Sequence, residues 1–285
     1  MAKILKGSDV AAELSRQLLD DTQELRNKGI VPTLAIVRVG EKDNDLAYEQ
    51  GALKRAAKTG VEVRSVVFPE DVSEAQFFNA LDALNHDGSI HGILMFRPLP
   101  KHINEEKARK MILPSKDVDG CTDGSLAGVF TGSGEGFAPC TAEAAVKILD
   151  YYGIDPCGKR VTVIGRSLVI GRPAAMMLMA KGATITICHT KTQNVPELSR
   201  QADILIAASG QPESVGTAYV KEGQTVIDVG ISWSEAKGKL VGDVCFEEAE
   251  PIVSAITPVP GGVGAVTSTI LMSHVVQAAI NQAAL

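Results

Sequence analysis

The sequence predicts an α/β protein of two domains built on parallel sheets, and three observations carry that prediction. Short β-branched apolar runs alternate with amphipathic stretches of helical length. The alternation occurs twice along the chain, and a segment at 114–140, rich in Gly, Asp and Ser, separates the two series. The 285 residues suffice for two cores, and 45% hydrophobic with 22% charged residues is the balance of a folded globular chain.

Taken in order, helical periodicity begins after Ser8, read as an N-cap, and runs through "DVAAELSRQLLDDTQELRNKG" to a stop at Gly29. "TLAIVRVG" reads as a buried strand. A helix carrying "LAYEQGALKR" follows, then the strand "EVRSVVF", the helix "SEAQFFNALDALN" and the strand "HGILMF". The segment 114–140 is read as substrate loop and domain boundary. The helix "TAEAAVKILDYYG" opens the second series, with strands "RVTVIG", "ATITICH", "ADILIAA" and "QTVIDVG", and the end of the chain from Thr267 is helical again.

A net charge of -6 disfavours nucleic acid or an anionic membrane as the main partner. The cysteines, Cys121, Cys140, Cys157, Cys188 and Cys245, have no metal-ligand spacing and read as reduced thiols; the histidines likewise suggest no metal site. The amino terminus lacks the apolar run and cleavage site of a leader, and no run is read as a membrane span. The expected location is the cytoplasm.

"RVTVIGRSLVIGRPAAMMLMAKG" is a strand, a glycine turn and a helix. Gly165 permits the turn, Gly171 allows close approach at the helix start, and the N–H groups there can hold a phosphate, although Ser167 replaces the middle glycine of the usual dinucleotide motif. Any βα turn of an α/β protein can carry such glycines, and the next strand adds more. Its end reads "CHTKT", with no acid to receive a ribose 2′-hydroxyl. With Arg166 and Lys191 nearby, this points to NADP over NAD; a site without an acid still accepts NAD.

"GRSLVIGRP", "TVIDVG", "KDVDG", "PLP" and "ITPVPGGVGAVT", in this order and spacing, resemble the bifunctional methylenetetrahydrofolate dehydrogenase/cyclohydrolase family across essentially the whole chain. The resemblance implies an amino-terminal α/β domain (1–141 plus 267–285) that binds folate, a Rossmann-type NAD(P)-binding domain (142–266), a folate cleft between them, and a homodimer through the nucleotide domain. It also implies residue roles. Tyr48 flanks the pterin and Asp119 bonds the pterin's amino edge, the two catalytic candidates. Phe96, Pro98, Leu99 and Gly262 are the other folate contacts. Gly165, Arg166, Ser167, Gly171, Thr190 and Ile231 line the cofactor, with His189 a further candidate contact.

Departures from the family pattern cluster around the tyrosine. The family carries a lysine one helical turn after it and a glutamine in "QLPLP"; these positions hold Ala52 and Phe96, with Arg97 following. Asp45 stands where a serine is usual, and Ala265 replaces the proline after "GGVG". On a helix Ala52 shares the Tyr48 face, whereas Lys54 points about 240° away. Arg55 returns to that face but, always protonated, accepts no proton.

The family's two reactions load these positions differently. Hydride transfer from 5,10-methylenetetrahydrofolate moves no proton and needs alignment and a tolerant field. Hydrolysis of the 5,10-methenyl cation needs a base or shuttle, help typically worth about 10²–10⁴-fold. Losing lysine and glutamine together is coherent, because a buried glutamine left alone would cost about 1–3 kcal/mol in unmet hydrogen bonding. The sequence therefore points to a dehydrogenase whose cyclohydrolase activity is lost or vestigial, with a separate cyclohydrolase in the same cell. The alternatives are a bifunctional enzyme with a substitute base such as Asp45, and a catalytically silent folate or nucleotide sensor.

Overall fold

The computed structural model describes residues 1–284. In chain order the elements of the first half are β1 (Lys3–Ile4), α1 (Gly7–Asn27), β2 (Thr33–Val39), α2 (Asp43–Thr59), β3 (Glu62–Phe68), α3 (Glu74–His86), β4 (Gly92–Met95), α4 (Glu105–Met111) and α5 (Asp123–Thr131). The second half runs α6 (Cys140–Tyr151), β5 (Arg160–Ile164), α7 (Gly171–Ala180), β6 (Thr184–Cys188), α8 (Val195–Gln201), β7 (Ile204–Ala207), β8 (Thr225–Asp228), β9 (Ser232–Ser234), β10 (Lys239–Val241), α9 (Phe246–Ala249), β11 (Ala255–Ile256) and α10 (Val263–Ala283).

The chain divides into two compact units: Glu13–Cys140 with Ser268–Leu285, and Met1–Ala12 with Thr141–Thr267. The first is built on a parallel sheet ordered β3-β2-β4, with Ile36 opposite Ser65 on one side and Leu94 on the other. Central β2 is buried from Leu34 to Val39, which is why it reads as a continuous apolar run rather than an alternation. Its core gathers Val37, Phe77, Leu81, Ile93 and Met95. Helix α3 starts where its sequence dictates: Ser73 accepts from the Gln76 N–H and Gln76 reaches back to the Ser73 N–H, a reciprocal cap.

The second unit carries a six-stranded sheet ordered β1-β11-β8-β7-β5-β6, parallel throughout. Strand β5 lies between β6 and β7, so the chain leaves it in one direction and returns on its other side. That reversal opens a crevice at the carboxyl ends of β5 and β7, where parallel sheets of this kind take their ligands.

Several expectations change. Residues 1–12, assigned from sequence to the folate domain, pack with the six-stranded sheet: Lys3 and Ile4 pair with Ala255 and Ile256. Helix α1 starts at Gly7 and not after Ser8, because the Gly7 N–H donates to Gly261 O at 2.8 Å and a Cβ on Gly7 would lie 2.0 Å from Gly262 O. Tertiary contact sets that end. The segment 114–140 is not all loop: Thr122 caps α5 by accepting from the Ser125 N–H, and Gly132 ends it in the left-handed conformation.

Helix α10 begins at Val263, upstream of Thr267. It is also long and apolar enough to cross a membrane by length and composition, contrary to the sequence reading. Yet 61% of its most apolar window is buried within the protein, as in the core helix of a soluble fold.

Candidate active site

Tyr48 lies in the second turn of α2, and the helix is seated by a buried ion pair that sequence reading missed. Arg38 of β2 donates through Nε to Glu49 at 2.7 Å and through Nη1 to Gly40 O, while Ser65 Oγ donates to the other Glu49 oxygen at 2.5 Å. The only sequence signal was a charged residue inside an apolar strand, Arg38 in "AIVRV". With Glu49 turned onto the sheet, its neighbour Tyr48 is left 47% exposed.

Phe96 follows β4, its N–H donating to Val37 O at 2.9 Å, and its ring meets that of Tyr48 edge-on with centroids 5.4 Å apart. Ala52 is 3% exposed and Phe96 7%. The two positions at which the resemblance implies a lysine and a glutamine are thus buried and apolar beside the phenol. Burial first, then Asp119 and Cys140, pushes the Tyr48 phenol above its ordinary value, so it remains a neutral donor. Arg55 does not serve this site: its Nε reaches Ser268 Oγ at 3.3 Å and its Nη1 reaches Ser15 Oγ at 3.2 Å. Asp45 lies within the first turn of α2, where a negative charge favours the helix.

Asp119 sits on a loop held from both sides. The Asp117 carboxylate accepts from the N–H groups of Cys121 and Thr122 at 3.0 and 2.7 Å, and Val118 O contacts His274 Nδ1 at 2.8 Å and Cys140 Sγ at 3.2 Å. Gly120 is required, since its φ is +69° and a Cβ would stand 2.4 Å from the Ala138–Pro139 backbone. Burial pushes the Asp119 carboxyl up to about 6, with Arg97 pulling it down, Asp117 raising it and His274 lowering it. The Arg97 guanidinium lies 3.7 Å from it.

The three other predicted folate contacts behave differently. Pro98 is exposed, with its carbonyl accepting from Lys42 Nζ at 3.0 Å. Leu99 points into the hydrophobic core, its N–H held by Glu105 at 2.8 Å, so its side chain is structural. Gly262 is in the other unit and buried, where a Cβ would meet Pro258 O at 2.4 Å.

In the six-stranded unit the cofactor candidates follow the carboxyl ends of strands in one half of the sheet. Gly165 to Ser167 follow β5, His189 and Thr190 follow β6, and Ile231 follows β8. A Cβ on Gly165 would lie 2.1 Å from Ala208 O, and one on Gly171 would lie 2.2 Å from Gly165 O. The turn therefore presents bare backbone at the start of α7, which suits a pyrophosphate. Ser167 Oγ accepts from the Ile170 N–H at 3.1 Å, closing the turn in place of the missing glycine. Thr190, Arg166 and Lys191 are exposed, and Ile231 is 60% exposed. His189 Nδ1 accepts from the Lys191 N–H at 3.2 Å. Asp228 fixes the β8 end by accepting from the N–H groups of Gly230, Asp243 and Val244.

A parallel sheet with its reversal point beside a bare glycine turn, joined in one chain to a unit displaying a phenol and a half-buried acid, defines a nucleotide-dependent enzyme of two α/β units. The chain belongs to the tetrahydrofolate dehydrogenase/cyclohydrolase family. Residues 5–119 match the family's catalytic domain and residues 139–283 its NAD(P)-binding domain. It is 48% identical over 279 residues to the bifunctional protein FolD of Carboxydothermus hydrogenoformans, covering 98% of this chain and 97% of that protein. Among solved structures, the bifunctional FolD of Campylobacter jejuni matches with a TM-score of 0.95 and 38% identity over 99% of each chain. The Trypanosoma brucei methylenetetrahydrofolate dehydrogenase-cyclohydrolase, complexed with NADP and an inhibitor, matches at 0.90 and 33% over 100% of this chain and 99% of its own.

Proposed function

We propose that this protein is a 5,10-methylenetetrahydrofolate dehydrogenase that uses NADP, with cyclohydrolase activity lost or vestigial. The observation that carries the second half is the pairing of Ala52 and Phe96, both buried, against Tyr48. Tyr48 and Phe96 offer the pterin an aromatic wall, and Asp119 accepts from its amino edge. Bound at the glycine turn between Gly165 and Gly171, NADP supplies the hydride acceptor. Arg166 and Lys191 answer its 2′-phosphate, and the end of β6 carries no acid that would select NAD.

Splitting the methenyl product with water needs a group that takes a proton. Tyr48 stays protonated, Arg55 is engaged by Ser15 and Ser268, and Ala52 and Phe96 offer no acceptor. A separate cyclohydrolase in the same cell would complete the sequence. The chain is proposed to act in the cytoplasm as a homodimer through its nucleotide unit, where Trp233 of the β9–β10 hairpin is exposed.

The relatives' description as bifunctional favours a second reading. Under it a substitute group takes the proton: Asp45, one turn before Tyr48, or Lys42 in its neutral amine form, whose Nζ donates to Pro98 O. A paired assay of both half-reactions, with NAD and NADP in parallel, separates the readings. NADPH formation without enzyme-dependent decay of 5,10-methenyltetrahydrofolate supports the proposal. Decay matching the dehydrogenase rate, abolished by Asp45→Ser or Lys42→Met, establishes the second reading. Binding of both ligands with no turnover establishes a sensor.

A further inference from the structure

We propose that Arg97 is a positioning residue for folate: its guanidinium stands beside the Asp119 carboxylate without closing on it, leaving that carboxylate open to the pterin's N–H donors. The inference rests on reading the Tyr48–Asp119 site as the folate site. Arg97 stands where the family motif "QLPLP" has a leucine, so its charge is a feature of this chain.

The separation decides what this arginine does. At 3.7 Å, Arg97 Nη2 is within ion-pair range of Asp119 Oδ2 and beyond hydrogen-bond range. A bidentate clasp would occupy the oxygens that a pterin must use; this pair leaves them open. Neither partner can drift far. The Arg97 segment is fixed by Phe96 N–H to Val37 O, by Lys42 Nζ to Pro98 O and by Leu99 N–H to Glu105. The Asp119 loop is fixed by the Asp117 carboxylate and by the contacts of Val118 O with His274 and Cys140.

The carboxyl needs such a partner. Burial favours its neutral form, as does Asp117 on the same loop, while Arg97 and His274 of α10 oppose them. Tyr48 of α2 and Cys121 also face it among the described residues; burial raises both, with Asp119 adding to each and Asp117 to Cys121, so both remain neutral. Arginine suits the task because it holds its charge throughout the working range. Since the pair is neutral overall, it sets no net positive charge against the amidinium product.

The test compares Arg97→Leu and Arg97→Lys with the parent, using the full chain and thermal unfolding as a folding control. Arg97→Leu is expected to raise the KM for methylenetetrahydrofolate by about tenfold or more, to leave kcat within about twofold, and to move the acid limb of kcat/KM to higher pH. Arg97→Lys is expected to recover most of the KM. An unchanged KM with an unmoved acid limb, or a fall in kcat that tracks lost stability, overturns the assignment. Tetrahydrofolate binding by calorimetry separates the two layers. A parent that binds, with Arg97→Leu binding equally well, overturns the role of Arg97 alone; a parent that does not bind overturns the folate reading and this inference together.

Discussion

Replacing Glu49 with alanine removes one half of the ion pair that seats α2 on β2, and the cost follows from its surroundings. The side chains of Arg38 and Glu49 are only 10% and 9% exposed, and the pair is closed at 2.7 Å. Losing one partner of a buried pair typically costs about 3–5 kcal/mol, because the remaining charge is left uncompensated. Here Arg38 retains its bond to Gly40 O, and the exposed Ser65 hydroxyl can turn to water, which places the expected loss near the lower end, about 3 kcal/mol. The double replacement Arg38→Met/Glu49→Leu should lie within about 1 kcal/mol of the parent, since an apolar pair leaves nothing uncompensated. The chain has a single tryptophan, Trp233, and it belongs to the other unit, so its fluorescence is blind to this change. Urea unfolding followed by far-UV circular dichroism, with hydrogen exchange of the α2 amides, reports it. A Glu49→Ala protein within 1 kcal/mol of the parent, or a double variant no better than the single one, would refute the reasoning. Because Glu49 orients Tyr48, Glu49→Ala should also raise the folate KM, and the double variant should recover it.

Other outcomes follow from the same sites. With Asp119 pushed up to about 6, folate kcat/KM should fall as pH drops through that value, and Asp119→Asn should be weak and flat across it. On stability the sign is opposite: the folded chain holds this proton more tightly than the unfolded chain, whose carboxyl has its ordinary value of 3.8, so the contribution is present in acid and lost as pH rises through about 6. Ala52→Lys combined with Phe96→Gln should raise methenyl hydrolysis by about 10²-fold or more, followed by loss of methenyl absorbance, whereas Ala52→Lys alone, against an unchanged phenylalanine, should gain far less. Arg166→Ala with Lys191→Ala should raise the KM for NADP at least about tenfold and leave that for NAD nearly unchanged, as read in initial rates. Ser73→Ala should cost about 1 kcal/mol in urea unfolding through its lost cap.

Much of the site was legible because its signals are local. The spacing of Tyr48 and Ala52 on one helix face, and the glycines at 165 and 171, follow from backbone geometry over a few residues. Leu99 was not legible in the same way: its side chain joins Phe77, Ile93 and the rest of a core assembled from distant segments, which no local motif states. The Arg97–Asp119 approach joins residues more than twenty positions apart, and nothing in either segment states a distance.

By itself the sequence determined the α/β alternation, the two series of strands, the glycine turn and the placing of Ala52 on the Tyr48 face, because each depends on residue type and short-range period. Tertiary structure alone decided that the first twelve residues join the six-stranded sheet, that Gly7 begins α1, that Arg38 and Glu49 aim Tyr48, and that Phe96 closes on its ring. Those outcomes depend on which buried groups find partners across the fold, and a partner far away in sequence leaves no periodic mark on the chain.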